Sequence, residues 1–475
     1  MIASSTTVSF AIDTEITPAY FDDLIKFFYQ QYILPHEERF MNVNRMEVDN
    51  NYALSFTFQG PGGRGYVDVV IRAGQPVQVK MTPNDQNFPK EAIDQLKEDL
   101  VIGVKLFEEQ IRRTTLYFAW VEGGEVIPEM APGRKSIIAR LFSESMLVFF
   151  IIFMAASIIL FAFLGAYAPI ALVALQFVMI LFSDKIIMRT GDWRITEKNT
   201  DVHLFEYHMP IGEYREFQKK YSRNTLIKIK EEIYKKTIPF NKPIDCEAVG
   251  NVLSSYGFKC EPGNMMTKKV NVYEIIKKAA GIFGLPIPKI VIANTTVPNA
   301  ATAGPAPTHG VVLITTGLLV QLKDDEILGV IGHEFSHLRA RDPLTLFGLT
   351  SAEFLLRIYV LWPLVYVFGF LYLFLAFGVI YFIAKFFESR ADLESAIKIG
   401  QPTILAEALE KIGYRRLQSE RMPSYRIQEW FGWDPHPPIY FRVARLENLG
   451  SSDKVKHPLI QSIKDNIRGL YAALR

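Results

Sequence analysis

Cysteine is almost absent from this chain: Cys246 and Cys260 are the only two among 475 residues. That excludes a disulfide-stapled secreted scaffold, which is small and cysteine-dense. It also excludes all-cysteine zinc modules and iron–sulfur ligation. Both thiols are expected to be free in a reducing cytoplasm. An excess of charge of one sign is lacking as well. There are 52 Lys and Arg against 50 Asp and Glu, a net charge of +2. A nucleic-acid binder would show a clearly basic domain, so nucleic acid is excluded as a partner. The first residues hold no basic stretch followed by an apolar run, so no signal peptide is expected. Repeats and low-complexity segments are also missing.

Hydrophobicity is what the chain has. It is 49% hydrophobic and 21% charged, with a mean hydropathy of +0.13. Such values point to membrane segments mixed with ordinary globular sequence. Residues 145 to 183 hold no charge over 39 positions. A bilayer core needs about 20 helical residues, so two spans are expected, Met146–Leu164 and Ala168–Phe182, broken at Gly165 and Pro169. A second block, Ile358 to Ala384, is uncharged over 27 positions. Extended back to Leu344 it makes two more spans, if Glu353 and Arg357 lie inside the first. Those two are four apart with the acid first, the better orientation for a helical pair. They are either a functional intramembrane pair or a structural pair at the mouth of a cavity. Arg134, Lys135, Arg140, Lys185, Arg189, Arg194, Arg339, Arg341, Lys385 and Arg390 flank the spans, and the turns have no basic residue. The positive-inside rule then puts both termini and all soluble parts in the cytoplasm.

Residues 1–135 read as a separate α+β domain. Pro18–Gln31 and Lys90–Tyr117 look like amphipathic helices. Tyr52–Phe58 and Tyr66–Ile71 alternate like strands, joined by the turn GPGGRG, which lacks the Lys-Ser/Thr of a phosphate loop. In residues 192–268, the helical stretch Tyr214–Lys236 carries eight basic and three acidic residues. It suits either anionic lipid or a solvated helix face.

The chemistry sits in His333-Glu334-Phe335-Ser336-His337, an H-E-x-x-H. Residues four apart share a helical face, so both imidazoles can reach one metal ion. Glu334, at the edge of that face, can take the proton of an activated water. Asp324, Asp325 and Glu326 stand where a helix N-terminus favours negative charge. A catalytic zinc keeps three protein ligands. Ala340 and Pro343 occupy the positions where a metzincin has Gly and His, which excludes that class. The remaining choice is a carboxylate from a second helix, in Glu388-Ser-Arg-Ala-Asp392. Glu388 and Asp392 are four apart, so one can bind zinc while the other accepts the outer N–H of a ligand histidine.

VPNAATAG (297–304), VVLITTGLL (311–319), DDEILGVIGHEFSHLRARD (324–342), ESRAD (388–392) and HPP (436–438) fall in the order seen in HtpX-like membrane zinc metalloproteases, relatives of the CAAX prenyl proteases. The chain resembles that family over roughly 140–190 and 270–450. The resemblance implies one zinc on His333, His337 and Glu388, Glu334 as general base, and Asp392 in support. It also implies a substrate-side edge strand of Pro298, Asn299, Ala300, Ala301, Thr302 and Ala303, where an extended peptide could pair; a plain loop is the alternative. His436 either lies at the active site, stabilising an oxyanion, or marks a helix entry before its prolines. Arg445 is a further candidate for the same region. The implied fold is an α+β membrane protein with a gluzincin catalytic domain and four transmembrane helices in two hairpins. The expected boundaries are 1–135, a hairpin at 143–184, a soluble insertion at 185–268, a catalytic core at 269–342, a second hairpin at 343–385 and a helical part at 386–475. The implied activity is endopeptidase hydrolysis of misfolded or membrane proteins on the cytoplasmic side of a prokaryotic cell membrane. A prenyl-peptide protease would need more spans, and a sensor would not need the intact motif.

Overall fold

The computed structural model describes residues 7–48, 51–60, 65–85, 88–126, 146–209, 211–221, 223–257, 259–449 and 455–474. Within it the chain divides into two units. One comprises Met1–Phe118 with Leu204–Lys268, the other Ala119–His203 with Lys269–Arg475. The boundaries expected from sequence, 1–135 and 185–268, therefore differ from this division. The first segment is joined to Leu204–Lys268 rather than folding apart. The expected boundary around Arg134, Lys135 and Arg140 lies outside the described residues.

In the first unit, a five-stranded antiparallel sheet runs in the order Val8–Ile12, Val77–Pro83, Tyr66–Arg72, Asn51–Gln59, Phe40–Val48. Alternation sets its buried face: Val67, Val69 and Ile71 on one strand, Val77, Val79 and Met81 on the next. Gln59 pairs with Tyr66, which closes the expected hairpin; residues 61–64 of its turn lie outside the described residues. Helix Lys90–Arg112 packs Leu96, Leu100, Val104, Phe107 and Ile111 into the same core. It approaches so closely that a Cβ on Gly103 would come within 2.6 Å of Phe28. The expected helix Lys90–Tyr117 ends early, at Arg112. The Thr114 and Thr115 hydroxyls bond the Ile111 carbonyl, and the β-branched and aromatic run Thr115–Val121 becomes a strand. Strands Val8–Ile12, Phe40–Val48 and Val77–Pro83 are additions to the sequence reading.

The cysteines correct an expectation: Cys246 and Cys260 form a disulfide, with Cα atoms 5.5 Å apart. Cys246 opens helix Cys246–Ser255, capped by Asp245, and the returning loop brings Cys260 into disulfide range. Unreduced, unfolded protein should therefore take up no maleimide, and two equivalents after reduction. Labelling without reductant would restore the free thiols.

In the second unit, a four-stranded sheet runs Ala300–Ala303, Val311–Thr315, Lys289–Ala293, Trp193–Ile195, with only the middle pair parallel. Ala300–Ala303 is an edge of this sheet. Helix Asp324–Ala340 packs against helices Val272–Phe283, Phe370–Ile399 and Pro402–Glu420. Gly332 permits this: a Cβ there would collide with Ile399 and Ser395. Among the described residues two stretches are long and apolar enough to cross a membrane, Met154–Leu181 and Phe370–Ile399. Helices Asp342–Tyr359 and Trp362–Phe368, bent by 81°, add a third if they count as one. The first stretch is broken by a turn at Gly165–Tyr167, and helices Met146–Leu164 and Ala168–Leu181 on either side pack on each other. The protein is thus a mixed α and β membrane protein.

Candidate metal centre

Helix Asp324–Ala340 begins with three acids, and the Lys323 backbone N–H donates to Glu326 Oε2 at 2.8 Å. Glu326 is buried against the Lys411 ammonium, 2.5 Å away. This end anchors the helix, and two turns later it presents His333 and His337. Their Nε2 atoms lie 3.1 Å apart. Glu388, on the 30-residue helix Phe370–Ile399, places one carboxylate oxygen 3.4 Å from each. The ligand atoms of these three residues all lie within 4.8 Å of one another. The same continuous helix carries the apolar stretch ending at Ala384 and the carboxylate at Glu388.

The outer faces of both imidazoles meet carboxylates. His333 Nδ1 lies 2.8 Å from Asp392 Oδ1, and His337 Nδ1 lies 2.7 Å from Asp342 Oδ2. Arginines hold both acids. Arg442 donates to both oxygens of Asp392, at 2.8 and 2.7 Å, and Arg390 pairs with Asp342. Each histidine therefore ends an Arg–Asp–His chain. Such partners fix the tautomer with Nδ1–H outward and leave the Nε2 lone pairs facing each other. Two lone pairs at 3.1 Å, with Glu388 Oε2 making no hydrogen bond among the described residues, need a cation between them. Burial opposes protonation of His333, yet Asp392 and Glu388 push its pKa up to about 10, so without a metal ion a proton serves as that cation, and a metal ion would displace it. The donor set, two imidazoles and one carboxylate, fits zinc.

Other candidates fall around this cluster. Thr302, on the edge strand, donates to Glu334 Oε2 at 3.0 Å. Among the expected edge-strand residues, Ala300, Ala301, Thr302 and Ala303 form the strand, while Pro298 and Asn299 precede it. Asn299 exchanges hydrogen bonds with the Thr315 hydroxyl. His436 Nε2 lies 3.6 Å from Glu388 Oε2, and its Nδ1 lies 2.8 Å from Asp434. The residue also precedes helix Ile439–Glu447. Lys385, fully buried, ties this loop through the Asp434 and His436 carbonyls. Arg445 points elsewhere: it binds Asp465, the Ser389 carbonyl and Ser462. Glu394 accepts from Ser336 at 2.7 Å, away from the histidines. Glu353 and Arg357 pair at 3.0 Å, and Tyr372 donates to Glu353. Asp342, Arg390 and Arg442 do not stand out in the sequence as supports of the site. The one signal there is that Asp342 opens the next helix, five positions after His337.

A family profile described as Peptidase family M48 matches residues 267–449. A "Protease HtpX homolog" of Acidiphilium cryptum is 31% identical over 238 residues, 43% of this chain and 82% of that protein. Another, of Thermoanaerobacter pseudethanolicus, is 30% identical over 213 residues, 38% of this chain and 71% of its own length. A third, of Moorella thermoacetica, is 31% identical, and the match spans only 54% of that relative. The crystal structure of S. mikatae Ste24p is 14% identical and covers 62% of this chain, with a TM-score of 0.29, too low for a fold comparison. The protein is a zinc metallopeptidase. It belongs to the HtpX-like proteases of peptidase family M48.

Proposed function

We propose that the protein is a membrane-embedded endopeptidase that binds one zinc through His333, His337 and Glu388. The convergence of those three side chains on one point carries this reading. Zinc, when bound, supplies Lewis-acid polarisation of the scissile carbonyl and a water of pKa about 7. Asp392 and Asp342 hold the imidazoles in the ligating tautomer. Glu334 accepts the proton of the attacking water and returns it to the leaving amine. Thr302 fixes the Glu334 carboxylate. The open edge of Ala300–Ala303 takes the substrate backbone as an added strand, which gives affinity with little sequence preference. His436, once protonated, donates from Nε2 to the developing oxyanion. The substrates are misfolded or membrane polypeptides met at the bilayer surface. Purified protein should cleave casein, lose that activity to a chelator and regain it on zinc addition. Cleavage indifferent to chelator would refute the reading.

The proposed topology has four crossings in two hairpins, with both termini and the active site cytoplasmic. It is supported by the turns at Gly165–Tyr167 and around Gly369, and by the basic residues flanking the spans. The disulfide weighs the other way, since such bonds persist mainly in oxidising compartments. In intact cells, a cysteine placed at Tyr167 or Val365 should react with an impermeant maleimide, and one at either terminus should not. Labelling at the termini would invert the orientation.

A further inference from the structure

Helix Pro423–Phe431 and the two residues after it reverse the usual surface pattern. Their charges turn toward the protein. Arg426 Nε donates to the Glu420 carbonyl at 2.8 Å, and its guanidinium lies over the Tyr440 ring, 4.8 Å from the centroid. Glu429 pairs with Arg416. Trp430 is buried, and its indole N–H donates to the Tyr440 hydroxyl at 3.1 Å. The outward side is apolar. Met422, Tyr425, Ile427, Phe431 and Trp433 are exposed, Phe431 at 52% and Trp433 at 49%. Ser424 and Gln428 are the polar residues exposed beside them, so the exposed side chains described in this segment carry no charge. Ile427 and Phe431, four apart, share a helical face. Single exposed apolar residues are ordinary. Five large ones in so short a segment, with its charges withdrawn, mark a surface that meets something other than water.

The neighbouring helix identifies that medium. His436 Nε2 lies 3.6 Å from Glu388 on helix Phe370–Ile399. Trp433, three residues earlier, instead reaches Phe374 and Phe377 of the same helix, with ring centroids 6.1 and 6.0 Å away. Phe377 precedes Glu388 by eleven positions, about 16 Å at 1.5 Å per residue. Phe374 lies further into the uncharged run that ends at Ala384, and it is itself exposed. The chain therefore runs from the metal centre down onto the apolar stretch, and the exposed side of Trp433 continues that of Phe374. The medium that bathes Phe374 also bathes Trp433. For a helix that crosses a membrane that medium is lipid, and Trp and Tyr suit its boundary.

We propose that Met422–Trp433 is an interfacial anchor, which inserts its apolar face into the lipid of the bilayer that holds helix Phe370–Ile399. The proposal rests on that helix lying in a bilayer. It depends neither on the number of crossings nor on zinc. Lys385, fully buried on the same helix, donates to the Asp434 and His436 carbonyls. The loop bearing His436 is thus held between the lipid-seated segment and the helix that carries Glu388.

The test uses the full chain with one substitution at a time: Ile427→Cys, Phe431→Cys, Leu371→Cys or Gln401→Cys. All four residues are exposed, so the fold is not at risk. Each variant is labelled with an environment-sensitive fluorophore without reductant and reconstituted into vesicles of phosphatidylcholine and phosphatidylglycerol. The parent chain, treated alike, gives the background. Leu371→Cys, on the apolar stretch, is the lipid reference, and Gln401→Cys, beyond the polar end of the helix, is the water reference. At Ile427→Cys and Phe431→Cys, lipid brominated on its acyl chains should quench the emission as strongly as at Leu371→Cys. Aqueous iodide should quench it several-fold less than at Gln401→Cys. Iodide quenching equal to that at Gln401→Cys, with Leu371→Cys still in lipid, would overturn the anchor alone. Iodide quenching at Leu371→Cys as well would remove the helix from the bilayer and the anchor with it. Shielding of positions 427 and 431 from both quenchers would mean that a second copy of the chain covers the face, and that too would overturn the proposal.

Discussion

Glu334→Gln is expected to lower peptide hydrolysis about a thousandfold, within the range typical of a lost general base, while leaving zinc in place. Glutamine keeps the size and can still accept the Thr302 hydroxyl bond now made at 3.0 Å. It cannot take up a proton at neutral pH. Glu334 is not among the three residues whose ligand atoms converge, so the metal content should stay near one per chain. Thr302→Val should be milder, slowing turnover without loss of zinc, because the carboxylate remains and only its orientation is freed. Metal analysis beside casein turnover separates the possibilities. Wild-type turnover in Glu334→Gln, or loss of its zinc, would remove Glu334 from the base role.

The difference between what is readable in sequence and what is not follows from the range of the interactions. The spacing of His333 and His337 is a local property of one helix, and so it is visible in five letters. The apolar helices are equally plain, because an uncharged run of 39 residues is too long for one span and too apolar for a soluble helix. Glu388 stands 51 positions after His337, and spacing alone leaves it open against Asp392. Only the resemblance to a family separates them. The Arg390–Asp342 and Arg442–Asp392 pairs join positions 48 and 50 apart. Arginine and aspartate are common, so no pattern marks such pairs before the helices are packed. The disulfide is hidden for a similar reason: a separation of 14 fits a bond or two free thiols equally. The domain boundary falls elsewhere than composition suggests because Leu204–Lys268 returns to the first unit after the first membrane stretch, and composition does not record such returns.

Glu388→Ala is expected to abolish zinc binding and activity together, and Glu394→Ala to preserve both. The two glutamates lie six positions apart on helix Phe370–Ile399, so they cannot share a face. Glu388 brings one oxygen to 3.4 Å from His333 Nε2 and the other to 3.4 Å from His337 Nε2, whereas Glu394 is occupied by Ser336 at 2.7 Å. Removing Glu388 leaves two neutral imidazoles and no anion to balance a divalent ion. The affinity should then fall by more than the roughly 10–100-fold typical of changes to outer partners. Asp392→Asn supplies that smaller reference. It keeps the shape beside His333 but weakens the hold on its Nδ1–H and leaves the Arg442 guanidinium buried without its counter-charge. Helix Phe370–Ile399 runs without a break from the apolar stretch to the ligand, about 45 Å at 1.5 Å per residue. The proposed zinc site at its polar end would therefore tie the metal to the membrane by one rigid rod. If His337 and Glu388 hold one ion as proposed, the chain between them enters the bilayer and returns, or remains at one face, because a single crossing would separate them by about 30 Å. Zinc retained by Glu388→Ala, or lost by Glu394→Ala, would move the third ligand and break that topological argument with it.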